Sequence, residues 1–200
     1  MPTTGPGPIT MHEAGIKPFI HGLQTMRLIV QMAREVPNAD EIPTTRLFPD
    51  MLPFSFQIIA ASEAACKMVQ LAGQHVPEWS SEFKGLSWDD MTKRLDDTIE
   101  LLQKITPEDV KGSEETPCYF DFVPIGKTYY PGKEFIFGVN YAHFMFHVVI
   151  AYGIARSKGV PLGKANYLAS YVQPWPYDVY AEKIKAEEEA KALENGAPSS

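Results

Sequence analysis

The chain is short of cysteine, of positive charge and of apolar runs long enough to cross a bilayer. Its 200 residues include two cysteines, too few for the disulfide framework of a small secreted protein. Lysine and arginine number 18 against 25 aspartates and glutamates, a formal net charge of −7. Because nucleic acids bind basic surfaces, this balance argues against them as partners. With no secretory signal at residues 1–10 and no spanning segment expected, we predict a cytoplasmic protein without a membrane partner.

The composition is that of one globular domain. A hydrophobic fraction of 44% with 22% charged residues is enough to bury a full core in a chain of this length. We predict a flexible N-terminus over residues 1–10, a folded domain over 11–173 and a charged helix or tail over 174–200. The last segment is rich in alanine, glutamate and lysine and has almost no apolar face.

Four segments carry apolar residues at spacings of three and four, which predicts four long helices. These segments are residues 16–35, 50–72, 87–102 and 133–158. Asp50 stands where it can cap the second helix, with Pro53 in the first turn. Ser87 and Asp90 have the spacing of a capping box and predict the start of the third helix.

Residues 116–132 interrupt the helical pattern with strand and turn chemistry. Aromatic and β-branched residues alternate there with Pro124, Gly126 and Pro131, which predicts a short hairpin. The expected fold is therefore all-α: a four-helix bundle with a short β-hairpin before the last bundle helix. Tyr129 and the other aromatic residues of this hairpin suit either a lid over a pocket or a dimer surface.

Two of the five histidines, His143 and His147, lie four residues apart in an apolar run. On a helix they share one face, and the other residues of that stripe are mostly apolar, so both imidazoles should point inward. A buried neutral imidazole needs a partner for its donor and for its acceptor nitrogen. The histidine pair is therefore held in a polar network, lines a pocket or binds a metal.

Arg46 and Asp50 flank an irregular segment before the second helix, where functional side chains are common. We consider them candidates for substrate binding, together with Gln57, Phe146 and Tyr129. The competing interpretation is structural. Asp50 then caps the helix with Arg46 as its loop partner, a contribution of about 1 kcal/mol to stability.

Three blocks of sequence, in order, give the chain a family likeness that extends over roughly residues 19–171. They read RLFPDM at 46–51, FHVVIAY at 146–152 and GVPLGK at 159–164. Together they resemble an uncharacterised family within the DinB/YfiT-like superfamily. The resemblance implies a four-helix bundle of up-down-down-up topology that is often dimeric. The better-known relatives hold a divalent metal with three histidines and include thiol-dependent transferases and isomerases.

The resemblance also implies roles for particular residues. His143 and His147 match the paired ligands on the last bundle helix, which predicts a divalent metal such as zinc, nickel or iron. The second helix should supply the third ligand but contains no histidine; Gln57 and Glu63 are the candidates there. Two imidazoles alone make an incomplete zinc site, because catalytic zinc uses three protein ligands and an open position.

The leading hypothesis is a small-molecule enzyme, an isomerase, lyase or group transferase, that works as a homodimer. His147 would act as general acid/base or metal ligand, with His143 as its partner. The alternative is a non-catalytic protein that binds a small molecule or dimerises as an interaction module. A helix-turn-helix DNA binder is disfavoured, since the chain is acidic and has no basic helix.

Overall fold

The apolar stripes of the sequence form helices that pack into a bundle. The computed structural model describes residues 9–79, 82, 84–122, 125–172, 185–186 and 188–191. Its helices are α1 (Met11–Ala33), α2 (Phe54–Leu71), α3 (Trp88–Gln103), α4 (Tyr141–Ser157) and the short α5 (Lys164–Leu168). Strands β1 (Pro117–Phe122) and β2 (Gly126–Pro131) lie between α3 and α4. Short 3₁₀ turns occupy Ala39–Thr44 and Ser113–Glu115.

The helix starts follow local capping chemistry. The predicted capping box of α3 is confirmed: the Ser87 side chain accepts from the Asp90 amide, and the Asp90 carboxylate accepts from the Ser87 amide. The predicted cap of α2 is wrong. The N-cap residue is Pro53, with no side-chain hydrogen bond, and Asp50 lies three residues earlier in an exposed loop. From there its carboxylate is too far along the chain to reach the first free amides of the helix.

Four helices surround one core, and the predicted bundle with a hairpin before its last helix is confirmed. Helix α1 packs against α3 and α4, and α2 packs against the same two helices, so α1 and α2 lie diagonally across the bundle. Aromatic side chains fill the middle. Phe19 and Phe144 are fully buried and meet edge to face at 4.8 Å between ring centroids.

The hairpin leads directly into the last bundle helix. Strands β1 and β2 are antiparallel, with Tyr119 opposite Tyr129. A helical turn at Gly132–Glu134 and a π-helix at Phe135–Asn140 then continue into α4. A Cβ atom at Gly132 would clash with the Ser113 carbonyl oxygen, so the close approach of these two backbones requires glycine.

The expectation that no segment could span a bilayer is wrong on length and composition. The continuous helical stretch Gly132–Ser157 has 26 residues, and its most apolar window of 18 residues has a mean hydropathy of 1.4, with 39% of that window buried in the structure. A core helix of a soluble bundle meets the same two criteria, so this stretch is weak evidence for a membrane. Its packing against α1 and α2 accounts for its apolar character.

Most of the two predicted terminal segments lies outside the described residues. Within them, Thr10 caps α1 through the Glu13 amide, and residues 185–186 and 188–191 are helical. The Lys185 ammonium and the Glu189 carboxylate lie 4.0 Å apart on exposed side chains there. The division of the chain at residues 10 and 173 stays a prediction.

Candidate functional site

The contact between α2 and α4 places a glutamine beside a histidine in the core. His147 is 7% exposed, and its Nδ1 lies 2.7 Å from the Oε1 of Gln57, which is also buried. The Gln57 amide nitrogen Nε2 donates to the carbonyl oxygens of Leu52 at 2.9 Å and Pro53 at 3.3 Å. These carbonyls can only accept, so the amide nitrogen faces them and the amide oxygen faces the histidine.

This orientation fixes the tautomer of the histidine. Gln57 Oε1 is an acceptor, so Nδ1 of a neutral His147 must carry the proton and donate it. The other ring nitrogen, Nε2, then carries the lone pair. The core therefore presents His147 with a defined basic nitrogen, which is what proton acceptance or metal ligation needs.

Aromatic rings surround the histidine pair. The rings of His143 and His147 meet edge to face with centroids 4.6 Å apart. Phe146 packs against His147 at 5.3 Å and Phe56 at 6.0 Å. Phe120 of β1 packs edge to face on His143 at 5.1 Å, which joins the hairpin to the site.

Burial keeps both imidazoles neutral. Burial, together with a smaller charge repulsion from the neighbouring His143, lowers the pKa of His147 to about 4. Burial also lowers the pKa of His143. Both rings are therefore uncharged around neutral pH, and no described acidic side chain contributes to either pKa.

The start of α4 is anchored by a residue that we had not identified as functional. Asn140 is buried at the end of the π-helix, and its side-chain amide donates to the Ala64 carbonyl oxygen of α2 at 2.9 Å. Helices with π turns often stand at functional sites, since the extra residue per turn shifts the side chains that follow. The available signal was a lone asparagine on the apolar stripe of the histidine pair, one turn before His143.

The donor set is smaller than that of a three-histidine metal site. In the described ranges, no group of three histidine, cysteine, aspartate or glutamate side chains is placed to hold an ion. Glu63 is six residues after Gln57, which places it about 240° around the helix. Its carboxylate instead lies 3.4 Å from Arg94 of α3. Glu63 therefore does not join the histidine pair, and among the described residues no third side chain of these types stands beside the two imidazoles.

The structure brings some predicted substrate-binding residues together and leaves others apart. Gln57 and Phe146 contact His147 directly. Arg46 donates to the Met51 carbonyl oxygen within its own exposed loop, a structural contact that differs from the predicted pairing of Arg46 with a capping Asp50. Tyr129 is exposed on the hairpin and packs against Tyr119.

Several clefts on the described surface lie elsewhere, and three of them have volumes of about 210, 340 and 460 Å³. Cys118 and Tyr119 line the first, and Trp79 and Arg94 line both of the others. Neither His143 nor His147 lines any of the three, so the pocket predicted at the histidine pair is not one of them.

Comparisons with known proteins place the chain in a family. The model of the domain of unknown function DUF1993 matches residues 11–168. A crystal structure of a DinB family member from Shewanella denitrificans has a TM-score of 0.70 and 22% identity, over 82% of this chain and 94% of that one. At that identity the likeness shows the fold alone. None of the curated proteins matches the chain. The chain therefore belongs to the DUF1993 family, and its fold is that of a DinB-like helical bundle.

Proposed function

We propose that this protein is a small-molecule enzyme in which neutral His147 accepts a proton through Nε2. The observation that carries the proposal is the 2.7 Å hydrogen bond between His147 Nδ1 and Gln57 Oε1. It fixes the tautomer and the orientation of the ring before any substrate binds, and positioned bases of this kind accelerate proton transfer by roughly 10²- to 10⁴-fold. Gln57 is the positioning residue.

The low pKa of His147 restricts the chemistry. With a pKa of about 4, the ring is present almost entirely as free base at neutral pH but is a weak base. It suits a substrate proton that becomes acidic along the reaction, such as one next to a carbonyl group. His147 would take that proton and return it to a neighbouring atom in an isomerisation, or the substrate would expel a leaving group in an elimination.

The metal predicted from the family resemblance stays a prediction with its own test. His143 and His147 supply two imidazole donors, and Gln57 already engages one nitrogen of His147. We would measure zinc, nickel and iron by elemental mass spectrometry in protein purified without a histidine tag, and in the variant with His143→Ala and His147→Ala. If the wild type holds stoichiometric metal and the double variant loses it, the histidine pair is a metal site, and metal-independent proton transfer is refuted.

The enzyme proposal is tested by conversion of small molecules in a cytoplasmic metabolite extract, followed by mass spectrometry. Wild-type protein should change at least one compound, and His147→Ala should lose that conversion while still unfolding cooperatively. Gln57→Glu tests the role of His147 without removing activity. A carboxylate beside Nδ1 should raise the His147 pKa and shift the pH dependence of the conversion to higher pH. Lys111→Gln, on the exposed α3–β1 connection, is the matched control. Full conversion by His147→Ala would refute the proposal.

A second candidate function, association of two copies of this chain, is favoured by an exposed apolar surface. Phe146, Val149 and Gly153 form one stripe of α4, with Phe146 53% exposed and Val149 half exposed. A Cβ atom at Gly153 would lie 3.8 Å from Leu47, so the loop before α2 extends the stripe. Monomeric proteins rarely expose apolar surfaces of large area, and homodimer interfaces are apolar at their centre.

Because Phe146 also packs on His147, a dimer through this surface would cover the histidine pair. We expect Val149→Lys to shift the protein towards monomer in sedimentation velocity, with Lys111→Gln as the unchanged control. A monomeric wild type at micromolar concentration would contradict the homodimer. Ligand-induced thermal stabilisation without conversion of the ligand would favour a binding protein over an enzyme.

A further inference from the structure

Three of the four ring nitrogens of the histidine pair have no hydrogen-bond partner in the described part of the chain. Gln57 engages the fourth, Nδ1 of His147. Nε2 of His147 and both nitrogens of His143 are left, and all three are accessible to solvent. Polar atoms this close to a core are normally paired within the protein, so these nitrogens are available to a ligand.

Phenylalanine rings from three elements form the walls around these nitrogens. Phe56 of α2 and Phe146 of α4 pack edge to face on His147, with centroids 6.0 and 5.3 Å away. Phe120 of β1 packs on His143 at 5.1 Å. Phe146 is 53% exposed, so it marks the open side of the site. Aromatic walls of this kind offer a flat apolar surface to a planar ligand.

The described residues of the site offer no charge to pair with an ion. Neither imidazole forms an ion pair, or a hydrogen bond with a charged side chain, within the described ranges. Glu63 faces Arg94 on the other side of α2, and Arg46 donates to a carbonyl oxygen of its own loop. A charged ligand would lose hydration at the histidine pair without gaining a counter-charge, so the site favours an uncharged one.

The free nitrogens define the polar group of the ligand. Because Nδ1 of His147 donates to Gln57, its Nε2 holds a lone pair and needs a donor. The neutral ring of His143, 4.6 Å away between centroids, adds one donor and one acceptor. A hydroxyl group both donates and accepts, so one hydroxyl can bridge the two imidazoles.

We infer that the histidine pair takes an uncharged planar compound with a hydroxyl group in its plane, of the phenol and enol class. The hydroxyl donates to Nε2 of His147 and accepts from His143, and the planar body packs against Phe146. The inference rests on the proposed function, because a proton that His147 takes from the carbon beside a carbonyl group and returns to the carbonyl oxygen gives an enol. A phenol is the stable equivalent of that enol.

The test uses phenol as the probe, with the full chain at neutral pH and EDTA present to keep metal ions off the imidazoles. Phenol is uncharged there, with a pKa of about 10. Anisole, which lacks the donor hydrogen, and benzoate, which is charged, are the matched controls. The ring signals of His143 and His147 are assigned by their loss in His143→Phe and His147→Phe and are followed by NMR during titration.

We expect phenol to shift the signals of both histidines with a saturable millimolar or tighter affinity. Anisole and benzoate should bind at least tenfold more weakly, since one cannot donate to Nε2 and the other finds no counter-charge. Equal affinity for phenol and either control, or no saturation by phenol, would overturn the inference.

Variants separate recognition from folding. His147→Phe keeps a flat ring but removes Nε2, and it should weaken phenol binding at least tenfold. Phe146→Leu keeps an apolar side chain but removes the flat ring, and it should weaken binding severalfold. Lys111→Gln should bind as wild type does. Unchanged phenol affinity in both site variants would refute the assignment, and if neither variant folds, the comparison of the three compounds on wild type decides.

Binding and conversion can fail separately. Saturable phenol binding that needs the donor hydrogen, without conversion of any metabolite, would support this inference and refute the enzyme. Conversion of an anionic compound that is lost in His147→Ala would keep the enzyme and overturn this inference.

Discussion

The two faces of α2 handle buried polar groups in opposite ways. On the α4 face, Gln57 meets His147, and burial has removed the charge from the imidazole. On the α3 face, Glu63 meets Arg94, and the buried guanidinium keeps its charge beside a half-exposed carboxylate and a tryptophan ring. One helix thus separates a neutral site from an ionic one.

The difference follows from the solution pKa values of the two side chains. A histidine near 6.5 loses its proton at a small cost when it is desolvated, so it needs only a neutral acceptor for Nδ1. Arginine keeps its proton in a folded protein, so a buried guanidinium needs anions or hydrogen-bond acceptors beside it, and Glu63 and the Trp79 ring lie next to Arg94. The α4 face of α2 is therefore uncharged at neutral pH, and its α3 face is ionic.

The largest expected effect is a pH dependence that comes from the neutral face. His147 binds a proton near pH 6.5 when unfolded and at about 4 when folded, so between these values the unfolded chain holds more protons. The free energy of unfolding should therefore fall as the pH falls from 6.5 to 4, by about 3 kcal/mol from this residue. Urea unfolding across that range measures it.

His147→Leu should reduce this pH dependence, and His75→Gln, at an exposed histidine, should leave it unchanged. A variant His147→Leu with the full wild-type slope between pH 6.5 and 4 would show that the folded histidine is not held neutral. The claim that the α4 face of α2 is neutral while its α3 face is ionic would then be wrong.

The second effect is the coupling between His147 and Gln57. His147→Leu alone leaves the Gln57 amide oxygen without its donor in the core, at a cost of about 2 kcal/mol. Gln57→Leu should cost a similar amount, while the double variant should lose about 1 kcal/mol less than the sum of the two. Urea unfolding of the four proteins at pH 7 gives the coupling, and strict additivity would contradict the hydrogen bond.

On the ionic face, Glu63→Gln should lower the free energy of unfolding by about 1 kcal/mol, since it removes a carboxylate from a buried guanidinium. Glu108→Gln is the matched control, because it removes a carboxylate from an exposed pair with Lys111 and should cost less than about 0.5 kcal/mol. Equal losses in thermal or urea unfolding would show that burial of Arg94 adds nothing to the pair.

The smallest effect concerns the hairpin over His143. Phe120→Ala removes the ring that covers this imidazole and should raise its pKa towards 6.5, with a loss of about 1 kcal/mol in stability. Tyr129→Ala, on an exposed part of the same hairpin, should leave the His143 pKa unchanged. NMR titration of the His143 ring signals distinguishes the two variants. An equal His143 pKa in both would show that the hairpin does not influence this histidine.

The periodicity of apolar residues was sufficient to predict the four helices and the inward direction of His147, and the strand and turn residues of 116–132 were sufficient to predict the hairpin. It could not predict how α4 begins. The π-helix and the Asn140 contact with Ala64 depend on which helix lies opposite, and no local pattern carries that information. The cap of α2 failed for a related reason: Asp50 has the right chemistry, but the turn that precedes Pro53 places it outside the helix.

The sequence by itself determined the elements of this protein, because helix and strand periods are local properties of the chain. It also determined that two imidazoles share one face of α4, since residues four apart on a helix always do. Only the tertiary structure decided that Gln57 faces His147 and that Glu63 faces Arg94. The physical reason is that partners from distant parts of the chain are chosen by how the helices rotate and pack against each other.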